Sequence, residues 1–402
     1  IARRMPVIAL PHLVTRDVRA RRECTVAPRQ RNWDGGTVGP MSARMRLGWF
    51  AAVVFVAIFG LGELASWIGE SLRGPSWWAI DLQLVLDAGT RLGSGQPLYA
   101  DPKLLYPPLA AVVGRPLASV DSFTISLLYA ALKVVLAVMA VRALTPGWRP
   151  LDRLLAVVGL VCSLPFLHDV MLGNANVLLV GAMAVAVFGR PTPRSGVLLG
   201  LAAAVFAKPL LLPVLLWLLV FRRPVFAGTV AAGLAATAGG VLLAGPSAYV
   251  AWVSALAAGS RYAEPFAGNH GVTAFAPTLW APVAVATAAA LLLVLVRRGP
   301  RVGLAWATAS GILLAPYVGT YGALPIAIAL PEIGPLAPAL ALVIVAISPI
   351  ATTHPLPFYA AGIMLATLAL REGRAAGEDL GLPPPAAPGA AGAAGAAGAA
   401  TA

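Results

Sequence analysis

The 402-residue chain is 59% hydrophobic and only 11% charged, with a mean hydropathy of +0.83, whereas a soluble domain carries about 25% charged residues. Water is thereby excluded as its main solvent, and apolar runs near the ~20 residues that cross a bilayer point to a polytopic membrane protein. The net charge of +13 does not mark a nucleic-acid binder, because the basic residues sit at the ends of apolar runs, where they anchor and orient helices.

Residues 1–40, beginning at Ile1, are Arg-rich, weakly apolar and without periodicity. They are expected to form a disordered cytoplasmic arm, or an upstream extension of a chain starting at Met41. Residues 41–372 are read as one transmembrane domain, and the Pro/Ala/Gly-rich residues 373–402 as a disordered cytoplasmic tail that cannot build a core. Within the domain the sequence predicts about twelve spans, at 47–69, 123–144, 151–168, 174–189, 195–207, 209–221, 225–244, 273–296, 302–318, 320–332, 335–351 and 355–370. The runs are long and rich in Leu, Ala and Val rather than alternating, so the fold class is all-α and not a barrel. Several are short and broken by proline, which is tolerated only where a helix is buried in protein or lines a wet cavity.

Arginine sets the orientation. Arg44 and Arg46, then Arg142, Arg149 and Arg153, then Arg190 and Arg194, Arg222 and Arg223, Arg297, Arg298 and Arg301, and Arg371 and Arg374 make every second connection basic. These connections and both termini are expected in the cytoplasm of a plasma-membrane protein. The intervening loops, chiefly 70–122 and 245–272, face outward.

The first of these loops carries most of the polar chemistry. Residues 80–94 predict a helix with Gln83, Asp87, Thr90 and Arg91 on one side, Asp87 and Arg91 spaced to pair, and Asp81 pointing away. Such a helix suits the membrane interface, and 107–120, opened by Pro107 and Pro108, predicts a second. Asp81 has two readings: a helix N-cap, where Asp is favoured, or a general base whose apolar neighbours tune its acidity. Lys208, between Phe206 and Pro209, is either a lysine snorkelling from a helix end or a cation for a phosphate, since intramembrane charges mark sites. Asn174 and Asn176 open a span, where an amide can cap the helix or bind a sugar. His168 and Asp169 before them read as an ordinary polar turn. In the second long loop Arg261 and Tyr262 suit a phosphate, a sugar face or an interfacial anchor, and Asn269 and His270 follow. Tyr317, Tyr321 and His354 read as belt or turn residues.

Cys24 and Cys162 lie too far apart in sequence to suggest a disulfide framework. The sequence has no Gly-rich phosphate loop, no Asp-x-Asp pair for a metal-bound nucleotide sugar and no His/Cys ligand cluster. No metal and no cofactor is expected, and chemistry on the outer face calls for a donor delivered on a lipid.

Four groups of residues resemble one known family. They are Asp81 with Gly95, Gln96, Pro97, Leu98 and Tyr99, Tyr106, Pro107 and Pro108, and Pro116 and Leu117; the run Gly173, Asn174, Ala175, Asn176, Val177, Leu178; Gly200, Leu201, Lys208, Pro209, Arg222 and Arg223; and Gly268, Asn269 and His270. In that order they resemble glycosyltransferase family 87, over about 47–370. The resemblance implies a GT-C-like membrane glycosyltransferase whose better-known relatives are actinobacterial. Those enzymes take mannose from polyprenyl-phosphate-mannose to extend envelope glycolipids such as phosphatidylinositol mannosides. It also implies an aspartate base in the first outer loop, a position that Asp81 matches. Many members carry Ser-Pro-x-Ser-Trp-x-His-His at a late outer turn. Here that stretch runs Ala315, Pro316, Tyr317, Val318, Gly319, Thr320, Tyr321, without the histidine pair, and Asn174 replaces the glutamine of a Gly-Gln-x-Asn turn.

The expected activity is an inverting, metal-independent transfer of a hexose, mannose by resemblance, to an envelope glycolipid or glycan on the extracytoplasmic face. Asp81 would be the base, Lys208 and Arg261 would hold the donor phosphate, and Asn174, Asn176, Tyr106, Asn269 and His270 would contact sugar or acceptor. The partners are the lipid-linked donor, the acceptor and the bilayer, with no nucleic acid. Two other classes compete: a transporter or flippase, which predicts internal repeats and midplane charges, and a non-catalytic relative that binds polyprenyl lipids.

Overall fold

The computed structural model describes residues 43–71, 79–101, 103–145, 148–258, 269–329 and 356–378, and among these every regular element is helical. Four stretches are long and apolar enough to cross a bilayer: Arg46–Gly69, Ser122–Leu144, Arg223–Ala244 and Pro277–Arg297. They correspond to four of the predicted spans. They belong to α1 (Ala43–Ser71), α4 (Ser122–Leu144), α10 (Arg223–Ala244) and α13 (Trp280–Arg297). Phe123, Leu128, Leu234, Leu242, Val285 and Val296 stand exposed on them, an outer surface suited to hydrocarbon and not to water.

The other predicted spans are shorter or broken, for visible reasons. Segment 151–168 is two helices, α5 (Pro150–Val161) and α6 (Leu164–Met171), bent by 54°. Pro165 lies in the first turn of α6, where it is tolerated but cannot continue the preceding helix. α7 (Asn176–Phe188), α8 (Pro193–Phe206), the short segment Pro209–Phe221 containing α9 (Leu212–Phe221), and the described start of α15 (Leu356–Glu378) are apolar helices of 10–17 residues. Among the described residues, four spans therefore meet the length requirement, or five with the bent pair, against the twelve predicted. Segment 335–351 lies outside the described residues.

Two elements depart further from the expectation. Segment 302–318 is α14 (Pro300–Leu314), which is buried on all sides from Val302 to Leu313. It packs against α9, α13 and α15, and Gly303, Ala305, Ala307, Ala309 and Gly311 give it a narrow body. Segment 320–332 forms a buried 3-10 stretch, Thr320–Ile328, with Pro325 inside it, lodged against α6 and α7. The second long loop also holds a helix, α11 (Pro246–Ala258), set off from α10 by Gly245 at φ 84°, and a single turn, α12 (Val272–Phe275), precedes α13.

The polar loop before α4 is folded against the bundle. α2 (Ile80–Gly93) and α3 (Pro108–Leu117) correspond to the two predicted interfacial helices and pack on each other. Their backbones meet at Gly89 and Gly114, where an added Cβ would strike Arg115 and Val85. α3 lies on α10, and α10 lies against α8, with Gly196, Gly200 and Gly228 allowing backbone approach. α7 joins α4, α8 and the Thr320–Ile328 stretch. These contacts bring the starts of α2 and α7 and the end of α8 to one place.

Candidate active site

The site is organised by the turn between α6 and α7. Gly173 adopts φ 69°, a conformation that L side chains rarely take. A Cβ there would lie 2.8 Å from Leu82 Cβ and 3.0 Å from Ala79 Cα, so glycine is also needed for the close approach of α2. The start of α2 is tied to this turn by two main-chain bonds, Ala79 N–H to the Met171 carbonyl at 2.6 Å and Asp81 N–H to the Leu172 carbonyl at 2.8 Å. Ala79 itself is held left-handed at φ 57°, a strain of about 1–2 kcal/mol that the surrounding contacts must offset.

This docking leaves Asp81 no N-cap role. The residue preceding α2 is Ala79, with no side-chain cap, and Asp81 lies inside the first turn. Its carboxylate instead accepts a hydrogen bond from the Asn174 amide nitrogen. The oxygen of the same amide accepts from Lys208 Nζ, and also from the Ala175 N–H at 2.7 Å. Asn174 thus bridges a carboxylate on α2 and an ammonium group at the break after α8. Asp81 and Lys208 remain partly exposed, while Asn174 is buried.

Lys208 reaches this point because the chain breaks there. Ala207 closes α8 in the left-handed region at φ 36°, and Lys208 is extended at φ −84°, ψ 131°, as a residue before proline prefers. Its ammonium lies 5.1 Å from the centre of the Tyr321 ring, within cation–π range. Tyr106 stands edge-on to Phe206, ring centres 5.9 Å apart, and its carbonyl accepts from Tyr99 Oη at 2.9 Å. Tyr106, Tyr317 and Tyr321 all feel the Asp81 charge, and burial first, then that charge among others, pushes each phenol up, so all stay neutral.

Burial raises the Asp81 carboxyl above the ordinary range, against the opposing pull of Lys208 and the Asn174 hydrogen bond. Burial also lowers Lys208, to about 8, with Asp169 and Asp81 opposing. The two groups are thus shifted toward each other in acidity, a feature that recurs at functional sites.

Behind Asn174 lies a second charged pair. Lys133 on α4 and Asp169 on α6 are both fully buried, Nζ to Oδ2 at 3.0 Å. Neither was read as functional in the sequence, although a lysine in the middle of an apolar run is itself a signal. Asp169 caps α7, accepting from Asn176 N–H at 2.9 Å, so the polar-turn reading understated it. Tyr321, read as a belt residue, is likewise buried beside Lys208.

The remaining predicted residues are placed differently. Asn176 is buried at the start of α7 with its Nδ2 unpartnered. Asn269 is buried with both ends of its amide engaged. It donates to Thr273 Oγ1 at 2.8 Å and accepts from Gly271 and Val318 N–H at 2.9 and 3.2 Å. Those bonds, with His270 N–H to the Val318 carbonyl at 2.7 Å, fasten its loop next to Tyr317, so Asn269 acts here as a loop brace. Arg261, Tyr262 and His354 lie outside the described residues. Arg91 does not pair with Asp87; its Nη1 donates to the Leu98 carbonyl at 3.5 Å.

The family model described as glycosyltransferase family 87 matches residues 104–318, more than half of the chain. That stretch contains Lys133, Asp169, Asn174 and Lys208, and Asp81 precedes it. No curated protein and no solved structure matches the chain.

Proposed function

Since the chain belongs to glycosyltransferase family 87, we propose that the Asp81–Asn174–Lys208 constellation is its transfer site, working on a lipid-linked donor at the extracytoplasmic edge of the plasma membrane. The donor class is a polyprenyl-phosphate hexose, mannose in the preferred reading, and the acceptor is an envelope glycolipid or glycan. This goes with a GT-C-like architecture and cytoplasmic termini. The observation that carries the reading is the Asn174 amide, which joins a partly exposed carboxylate to a partly exposed ammonium group beside Tyr321.

The chemistry follows from the two ends of that amide. Lys208 receives the donor phosphate and stabilises the charge that develops on it as the bond from the anomeric carbon to the phosphate oxygen breaks. The acceptor hydroxyl attacks that carbon from the Asp81 side, and Asp81 takes its proton. The carbon–oxygen bond to the acceptor forms as polyprenyl phosphate leaves, and the configuration inverts. Asn174 keeps base and cation apart by one amide, so the reacting carbon is held between them. Tyr106 and Tyr321 offer ring faces and hydroxyls to the sugar. Arg261 is carried as a second phosphate contact and His270 as an acceptor contact, both on sequence grounds. Asn176 is kept as a polar group beneath the turn.

Mass spectrometry of envelope glycolipids from a strain lacking the protein tests this reading. An intermediate one hexose short should accumulate, and wild-type chain but not Asp81→Asn should clear it. An unchanged glycolipid profile would remove the transferase assignment.

A further inference from the structure

The Lys133–Asp169 pair has no place in the chemistry above, yet it touches every part of the turn that presents Asn174. The Asp169 carbonyl accepts from both Lys133 Nζ at 2.6 Å and Asn174 N–H at 2.9 Å. The Asp169 carboxylate accepts from Asn176 N–H at 2.9 Å and Val177 N–H at 3.4 Å. On the other side, Tyr129 Oη donates to the Asn174 carbonyl at 3.2 Å. The Tyr129 ring in turn lies 4.4 Å from Lys133 Nζ. The main chain of Asn174 is therefore fixed at its N–H and its C=O, and the turn after it at the Asn176 and Val177 N–H groups; these fixtures end on Asp169 or on Tyr129, whose ring lies against Lys133.

This matters because an asparagine amide is nearly symmetric in shape and opposite in polarity at its two ends. Turned over, it would present an N–H to the Lys208 ammonium and an oxygen to the Asp81 carboxylate, two repulsive contacts. A buried ion pair contributes little net stability but is costly to break, and what it fixes here is the geometry of the turn. We propose that Lys133 and Asp169 are positioning residues, locking the turn so that Asn174 directs its nitrogen to Asp81 and its oxygen to Lys208. The geometric inference stands on the hydrogen bonds alone; its consequence for transfer rests on the reading of Asp81 and Lys208 given above.

The charged groups bearing on Asp81 are Lys208, Lys133 and Asp169, with Tyr106, Tyr129, Tyr317 and Tyr321 around it. A test that needs no sugar donor is carbodiimide labelling of Asp81 in the full chain in lipid nanodiscs, followed peptide by peptide by mass spectrometry across pH. The carboxyl gives its proton to a carbodiimide nitrogen and its oxygen then attacks the carbodiimide carbon, so the rate follows the protonated fraction; losing the Asn174 bond, which favours the ionised form, speeds labelling at neutral pH. Lys133→Met should raise the labelling rate several-fold, to the level of Asn174→Ala, and Lys133→Arg should restore most of the wild-type rate. The double variant Lys133→Met/Asn174→Ala should label no faster than Asn174→Ala alone. Should Lys133→Met fail to fold, Lys133→Met/Asp169→Asn removes both charges while leaving an oxygen to cap α7, and the same comparison is made in that background. Wild-type labelling in a folded Lys133 variant overturns the proposal. So does an effect that adds to that of Asn174→Ala, which would mean that Lys133 acts on Asp81 through space. A glycolipid profile unchanged by deleting the protein would sink the transferase reading and leave the labelling result intact.

Discussion

The chemistry at the residue scale rests on two groups moved toward each other in acidity. Asp81 is raised by burial and Lys208 lowered to about 8. As a base, Asp81 works only deprotonated, so transfer is lost as pH falls through a value above the usual carboxylate range. Lys208 holds the phosphate only when charged, so transfer is lost again as pH rises through about 8. The expected profile of kcat/KM is a bell, and Lys208→Arg should carry its alkaline side to higher pH, since arginine does not titrate there. An alkaline limb unmoved in Lys208→Arg would remove Lys208 from the site. The sequence made Asp81 and Lys208 legible because a carboxylate in an apolar loop and a lysine in an apolar run are both costly and so call for a reason. It could not show that Asn174 joins them, because 93 positions separate Asn174 from Asp81 and 34 from Lys208. Asn269 shows another limit of sequence, since its amide bonds to its own loop. A polar residue beside a motif looks the same in sequence whether it binds a ligand or braces its own loop.

Among the elements, the decisive piece is the junction of α2 with the α6–α7 turn. Gly173 is left-handed and has Leu82 and Ala79 against it. Gly173→Ala should therefore destabilise the protein by about 1–2 kcal/mol and weaken activity beyond what that loss explains, because α2 carries Asp81. Thermal unfolding in detergent beside a transfer assay separates the two effects. Full activity at wild-type stability would show that the junction does not set the site. Breaking the Lys133–Asp169 pair by removing one partner should cost more, about 3–5 kcal/mol, than replacing both. Apolar pattern and proline positions were enough to place α2, α3 and the four long helices. They were not enough for α14 or the Thr320–Ile328 stretch, because a run that is apolar all round reads the same whether lipid or protein surrounds it. α14 is walled in by other helices, a fact of packing that no local window holds.

For the molecule as a whole, the proposed transfer needs the site on one side of the membrane and the basic turns on the other. With Cys24 and Cys162 both replaced, a cysteine at Ser94, exposed at the end of α2, should react with a membrane-impermeant maleimide added to intact cells. A cysteine at Arg194, exposed in the first turn of α8, should react only after permeabilisation. Labelling of both from the same side would contradict the orientation read from the arginines. Most direct of all is transfer itself, measured in proteoliposomes from a synthetic polyprenyl-phosphate hexose to membrane glycolipid, with wild-type protein beside a folded Asp81→Asn variant. The predicted result is a loss of about 10²–10⁴-fold in kcat with the melting temperature little changed. Turnover near the wild-type rate in that variant would contradict the central claim that Asp81 accepts the proton of the attacking hydroxyl.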